Sequence, residues 1–404
     1  WASDGLRGLE VALESGGQWL LEPGAPIAKN LSPNEHAQQL DSCGRCHSRR
    51  GTLGNYEYDR NLLDTHRLSL LEENLYHPDG QILDEVYVYG SFVQSKMYQA
   101  GVVCTDCHNP HTGELKAEGN NVCAQCHSTE VFDTKQHHHH TPGSSGADCA
   151  NCHMPETTYM VVDPRRDHSI RSPRPDLSVT IGTPNACNQC HTEENATWAL
   201  NAMRDWGVEF NDTGSHPARA ISMFRRGDAR AVPGLLEIAQ DTSQPPIWRA
   251  TATVALSQYA SQESYQSALQ LLQSPDPMLR MAAVRSLDFL PPQQRFRVLN
   301  PRLTDPSRAV RMETARLLAG VSVDQLDTYN RKLLTKLNAE YLEVMNMDAD
   351  MPGVQLQLGV FHSAQQRLPE AEQAYLRAIA MNPQFIPALL NLADLYRSQG
   401  RDDE

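Results

Sequence analysis

The chain has no apolar run approaching the 18 or more residues of a membrane span, no excess of positive charge, and no cysteine outside one recurring pattern. The first absence leaves no membrane span. The second rests on 35 basic against 49 acidic residues, a net charge of −14, and argues against nucleic acid as a partner. The third is the most restrictive. All ten cysteines fall in five copies of Cys-x-x-Cys-His: Cys43, Cys46 and His47; Cys104, Cys107 and His108; Cys123, Cys126 and His127; Cys149, Cys152 and His153; Cys187, Cys190 and His191.

A disulfide framework has no use for a histidine at a fixed offset. Structural zinc takes four ligands from converging pairs, which would leave five histidines unexplained. Thioredoxin-like pairs come singly, on a βαβ pattern that is absent here. Covalent c-type haem uses every atom. The two thiols add to the two vinyl groups of one porphyrin, and the adjacent histidine supplies one axial nitrogen. Five haem c groups are therefore expected, held by the ten cysteines and by His47, His108, His127, His153 and His191.

Nine further histidines lie in or near the motif region: His36, His66, His77, His111, His137 to His140, and His168. A second imidazole on each iron gives a low-spin, bis-histidine haem, and an open position admits substrate. His77, His111, His138, His140 and His168 are the expected distal ligands. His111 should serve a neighbouring haem, because His108 already occupies the near face of its own. The run "HHHHTPGSSG" has the look of a tag, but it sits between two motifs and is read as native. Met97 is expected to pack rather than ligate. Arg45, Arg49, Arg50, Arg165, Arg166, Arg171 and Arg174 gather around the motifs and are expected to pair with haem propionates.

The motifs recur with gaps of 61, 19, 26 and 38 residues between first cysteines. That density implies a core of porphyrin wrapped in short helices and loops. Residues 1–42 hold no motif, and "GGQWLLEPGAP" reads as a short extended segment. "DEVYVYGSF" alternates like a strand, and "SFVQSKMYQAG" suits a helix.

After the last motif come no cysteines and two histidines, His216 and His362. Arg249, Arg280 and Arg311 follow one another at 31-residue steps, as do Leu256, Leu287 and Leu318. A period near thirty with one amphipathic helix in register predicts an α-solenoid similar to HEAT repeats. From Leu358 the pattern becomes tetratricopeptide-like, with Gly359, Ala371, Ala378 and Pro383, and Leu358-Gly359 returns 34 residues later as Leu392-Ala393. The expected class is mainly α: a haem-packed domain over 1–200, HEAT-like repeats over 201–335 and tetratricopeptide repeats over 336–404. The modules are expected to separate near residue 215. The opening without methionine is expected to be a processed or truncated end, and the half-repeat at the other end to leave Leu389, Leu392 and Leu395 uncovered.

"DEVYVYGSFVQSKMYQAGVVCTDCHNPH", "CAQCH…HHHHTPGSSGADCANCHMP" and "YMVVDPRRDHS" resemble bacterial multihaem c-type cytochromes with C-terminal helical repeats, related to pentahaem nitrite reductases, hydroxylamine oxidoreductases and octahaem cytochromes. Covalent haem attachment implies an exported protein, periplasmic or extracellular, and the density of motifs implies one that transfers electrons. Redox proteins would be its partners, with the repeats docking a protein or a second copy. Nitrite reductases carry a lysine-ligated CxxCK haem, which this chain lacks. Electron transfer rather than catalysis is therefore expected. The alternatives are a reductase of a small nitrogen or sulfur oxyanion, built around Tyr159 and Arg165, and a haem-stacking subunit of an extracellular polymer.

Overall fold

Each Cys-x-x-Cys pair closes one helical turn, because residues three apart are neighbours on a helix surface. In the computed structural model the N–H of His108 returns to Cys104 O, that of His127 to Cys123 O and that of His191 to Cys187 O, each at 2.9 Å. The first motif ends the Ala37–His47 helix, and the fourth forms its own helix, Cys149–His153. The structure describes residues 17–31, 37–55, 57, 60–210, 216–401 and 403, so His36 lies outside the described residues.

Around these turns there is almost no side-chain core. Between residues 106 and 154 a single residue, Ala147, is buried. Short elements carry the rest of this stretch. A strand at Glu156–Tyr159 pairs antiparallel with Asp163–Arg166, and the Trp19–Leu20 strand pairs with Lys29–Asn30.

The expected strand at 84–92 does not form. Tyr87 sits in the left-handed region at φ 60°, which breaks an extended run, and Tyr89–Phe92 is a helical turn. The helix expected over 91–101 is interrupted at 93–95 and keeps only Lys96–Gln99 beyond the break, opened by Ser95, whose side chain accepts the Tyr98 N–H.

The chain gathers into two compact units. One takes in Trp1–Arg49, Tyr58–Leu62 and Leu68–Ala255; the other takes in Arg50–Glu57, Leu63–Arg67 and Leu256–Glu404. The motif region therefore does not stand alone as 1–200. Three helices beyond it, Pro217–Arg225, Val232–Gln240 and Pro246–Ala255, belong to the same unit. They bury Ile221, Leu235, Ile247 and Trp248, and the same unit buries Leu62 and, in its 68–93 stretch, Leu71, Tyr76 and Val86. Arg225 donates to Tyr76 O at 2.7 Å and to Leu71 O at 3.0 Å. The Leu71 N–H donates to Thr251 Oγ1 at 3.2 Å. Gly80, at φ 84°, lets Trp248 approach, since a Cβ there would lie 2.7 Å from the indole. A division near 215 would cut through this packing.

In the second unit the 31-residue period has a physical origin. Leu287 and Leu318 are fully buried. Arg280 donates to Ser274 O and Pro275 O, and Arg311 to Asp305 O and Pro306 O, so each closes the turn before its own helix. Arg280 also makes a bidentate pair with the buried Asp305, both bonds at 2.9 Å. In the first unit Arg249 reaches Ala239 O at 3.2 Å, and Leu256, which opens the second unit, is buried too.

Beyond the Thr328–Met347 helix come Pro352–Ala364, Leu368–Met381 and Ile386–Ser398. Gly359 is required where it stands, because a Cβ would lie 2.2 Å from the Tyr375 ring. Leu392 and Leu395 are buried with Ala371 and Tyr375, contrary to the expectation that the last helix leaves them uncovered. Leu389 and its neighbour Leu390 do remain exposed. No helix among the described residues is long and apolar enough to cross a membrane.

Candidate haem centres

None of the ten cysteines is in a disulfide. Their proton affinities record which motifs adjoin. A hydrogen bond with Cys104 holds the Cys43 thiol low, and the same bond together with burial pushes Cys104 up. Burial raises Cys107, aided by the Asp106 carboxylate and by Cys126 of the next motif. A hydrogen bond with Cys123 and burial raise Cys149. Burial raises Cys152, with Cys187 and Cys190 adding to it. The first motif thus adjoins the second, the second the third, the third the fourth, and the fourth the fifth.

Three motif histidines each have a histidine from outside the motifs beside them. His108 lies by His168 with ring centres 6.3 Å apart. His153 lies by His137 at 6.1 Å with planes inclined by 12°, and His191 lies by His140 at 6.1 Å. Several of these rings are oriented by a backbone carbonyl. Nδ1 lies 2.9 Å from Arg171 O in His153, 2.9 Å from Arg166 O in His168, and 2.5 Å from His138 O in His140. Donation from Nδ1 leaves Nε2 as a free lone pair, the arrangement usual for a metal-binding imidazole. Burial lowers the proton affinity of His168 and of His137, which favours the neutral ring that a metal needs.

Within the four-histidine run it is His137, rather than the expected His138, whose ring lies by His153, while His140 lies by His191. The spacing alone does not reveal that residue 139 is left-handed, at φ 56°, and turns its neighbours apart. His138 instead accepts the His140 N–H on Nδ1, and its Nε2 is buried without a partner. His111 is exposed in the 109–113 turn, its N–H bonded to Asn109 Oδ1. His77 is half-buried in the 77–81 turn, and burial lowers its proton affinity. The third motif is pinned through its backbone, with Ala28 N–H donating to Cys126 O and Ser128 N–H to Pro26 O.

Four of the arginines assigned to propionates are engaged by carboxylates of the chain. Arg165 pairs with Glu85 and Asp163, Arg166 with Glu156, Arg171 with Asp79, and Arg174 with Asp176. They serve the fold first: Arg165 and Arg171 tie residues 79–85 to 165–171, while Arg166 and Arg174 pair within their own stretch.

The residues present fit haem c. Paired thiols share a helical turn, a histidine follows each pair, and the chain supplies almost no core where porphyrin would lie. Residues 96–132 match the doubled CXXCH motif family, residues 232–319 match HEAT repeats, and residues 374–404 match the tetratricopeptide repeat. No curated relative matches the chain. Among solved structures it is similar to the outer cell wall cytochrome OcwA, at 17% identity over 63% of this chain and with a TM-score of 0.31, too distant to carry an argument. The chain spans 65% of that protein's length. The motifs and repeats together define a multihaem c-type cytochrome: a chain with covalent haem c sites joined to HEAT and tetratricopeptide repeats.

Proposed function

We propose that the chain holds five haem c groups in one continuous row and carries electrons along it, with the helical repeats docking a partner. The observation that carries this reading is the pairing of His108, His153 and His191 with His168, His137 and His140. A metal on the line between two imidazole nitrogens has bonds of about 2.0–2.1 Å, and each nitrogen lies about 1.1 Å from its ring centre, so the centres stand about 6.3 Å apart. The three separations of 6.1–6.3 Å match that spacing. Haem c bound at these sites would supply one-electron exchange, and His108 with His168, His153 with His137 and His191 with His140 would hold it. The residues' own work is to bring these three histidine pairs together and to fix the orientation of His140, His153 and His168 through Nδ1.

Consecutive motifs adjoin in chain order, which supports a row rather than separate centres. Ile386, Leu389 and Leu390 are exposed on the last helix and support docking of a protein partner by the repeats. Export to the periplasm or cell exterior follows from covalent haem attachment, and kinship with the nitrite reductase superfamily rests on the quoted motifs. The reductase alternative gains nothing from Arg165, whose guanidinium is taken by Glu85 and Asp163.

The test is a denatured haemochrome assay combined with low-temperature electron paramagnetic resonance of the haem-loaded chain. Five haems per chain and low-spin ferric signals from the three paired sites are expected. A count of four, or a high-spin signal at a paired site, would sink the reading.

A further inference from the structure

The four-histidine run is asked to serve two centres at once, and its neighbours are arranged for that. His137 lies by His153 of the fourth motif, and His140, three residues on, lies by His191 of the fifth. An ordinary helical turn would place residues three apart on one face. Here the Lys135–His138 turn stops at His139, which adopts φ 56°. A left-handed conformation is strained in a non-glycine residue and persists only where its surroundings impose it.

The surroundings are visible. The His139 ring lies flat against the Trp206 indole, centres 4.3 Å apart and planes within 6°. The same indole meets the His140 ring edge-on at 6.3 Å. Trp206 closes the Ala196–Asp205 helix, whose first turn brings Trp198 to 4.7 Å from His191. One short helix therefore presents one indole to His140 and another to His191. On its remaining side His140 fills the space of an absent side chain, since a Cβ at Gly146 would lie 2.3 Å from His140 Cδ2. His138 is kept out of the ligand set by its own hydrogen bond. Its Nδ1 accepts the His140 N–H, so the proton of the neutral ring sits on Nε2 and leaves no lone pair there.

We propose that Trp206 is a positioning residue: by stacking on His139 it locks the left-handed turn of the run, sending His137 to the fourth haem site and His140 to the fifth. The proposal rests on the ligand pairing proposed above, and the experiment separates the two. The haem-loaded chain is prepared with Trp206→Ala, Trp206→Phe, His139→Ala, His137→Ala and His140→Ala. Spin state is read by electron paramagnetic resonance, and potentials by spectroelectrochemical titration.

The two ligand variants should each add a high-spin signal worth one haem. Trp206→Ala should add a high-spin fraction worth up to two haems. Trp206→Phe, which keeps a flat ring, should restore the parent spectrum. His139→Ala should reproduce Trp206→Ala, because a stack needs both partners, and it decides the matter even if the tryptophan variant fails to fold. Parent-like spectra and potentials in His139→Ala or Trp206→Ala, with the ligand variants high-spin, would overturn the positioning role alone. Parent-like spectra in His137→Ala and His140→Ala would overturn the ligand pairing and the positioning role together.

Discussion

Arg225 tests where the haem-bearing unit ends. Its guanidinium reaches from the Pro217–Arg225 helix to the carbonyls of Tyr76 and Leu71, at 2.7 and 3.0 Å, while the helix buries Ile221. Hydrogen bonds to a charged donor contribute about 1.5–3 kcal/mol each. Arg225→Ala removes two and also relieves the burial of a cation, so the low end applies, about 3 kcal/mol for the pair. With a urea dependence of roughly 1–3 kcal/mol per molar, the unfolding midpoint should fall by roughly 1–3 M. The assay is urea unfolding of the haem-loaded chain, followed by far-ultraviolet circular dichroism and by the haem Soret band. Both probes should move, because the 71–76 stretch belongs to the unit that holds the motifs. A chain ending at residue 215 should lose more, since Leu235, Ile247 and Trp248 go with it. If Arg225→Ala shifted the Soret transition by less than about 0.3 M, corresponding to under about 1 kcal/mol, these helices would be no part of the haem fold.

In the repeats, Arg280→Ala leaves the buried Asp305 carboxylate without its bidentate partner and should cost about 3–5 kcal/mol, read by thermal or urea unfolding. Although burial opposes ionisation, the bonds from Arg280, Ser307 and Arg302 hold the Asp305 carboxyl below its usual range. Its contribution should therefore be whole above about pH 4 and fade as pH falls through the lower folded value, and Asp305→Asn should flatten that part of the stability profile. Gly359→Ala should destabilise the tetratricopeptide unit by about 1–3 kcal/mol, because the new Cβ displaces Tyr375; an unchanged midpoint would contradict that packing. Val161 is 92% exposed at φ 71° on the 160–162 turn, so Val161→Gly should raise the melting temperature or leave it unmoved, and a clear fall would mean that the side chain has a partner.

What the sequence determined by itself was chemistry with a local period. Cys-x-x-Cys-His closes one helical turn, so five copies and no spare cysteine reveal covalent haem without any fold. A leucine and an arginine that each recur every 31 residues reveal stacked helices for the same reason. Tertiary structure decided everything that depends on distance in space. His137 lies by His153 and His140 by His191 across a left-handed His139, whose ring stacks on an indole 67 positions away in sequence. The strand expected at 84–92 gives way to a helical turn because Tyr87 is turned out of the extended region. The haem unit runs on to residue 255 because Arg225, Trp248 and Thr251 find their partners near residues 71–80, and no local pattern records a partner that far along the chain.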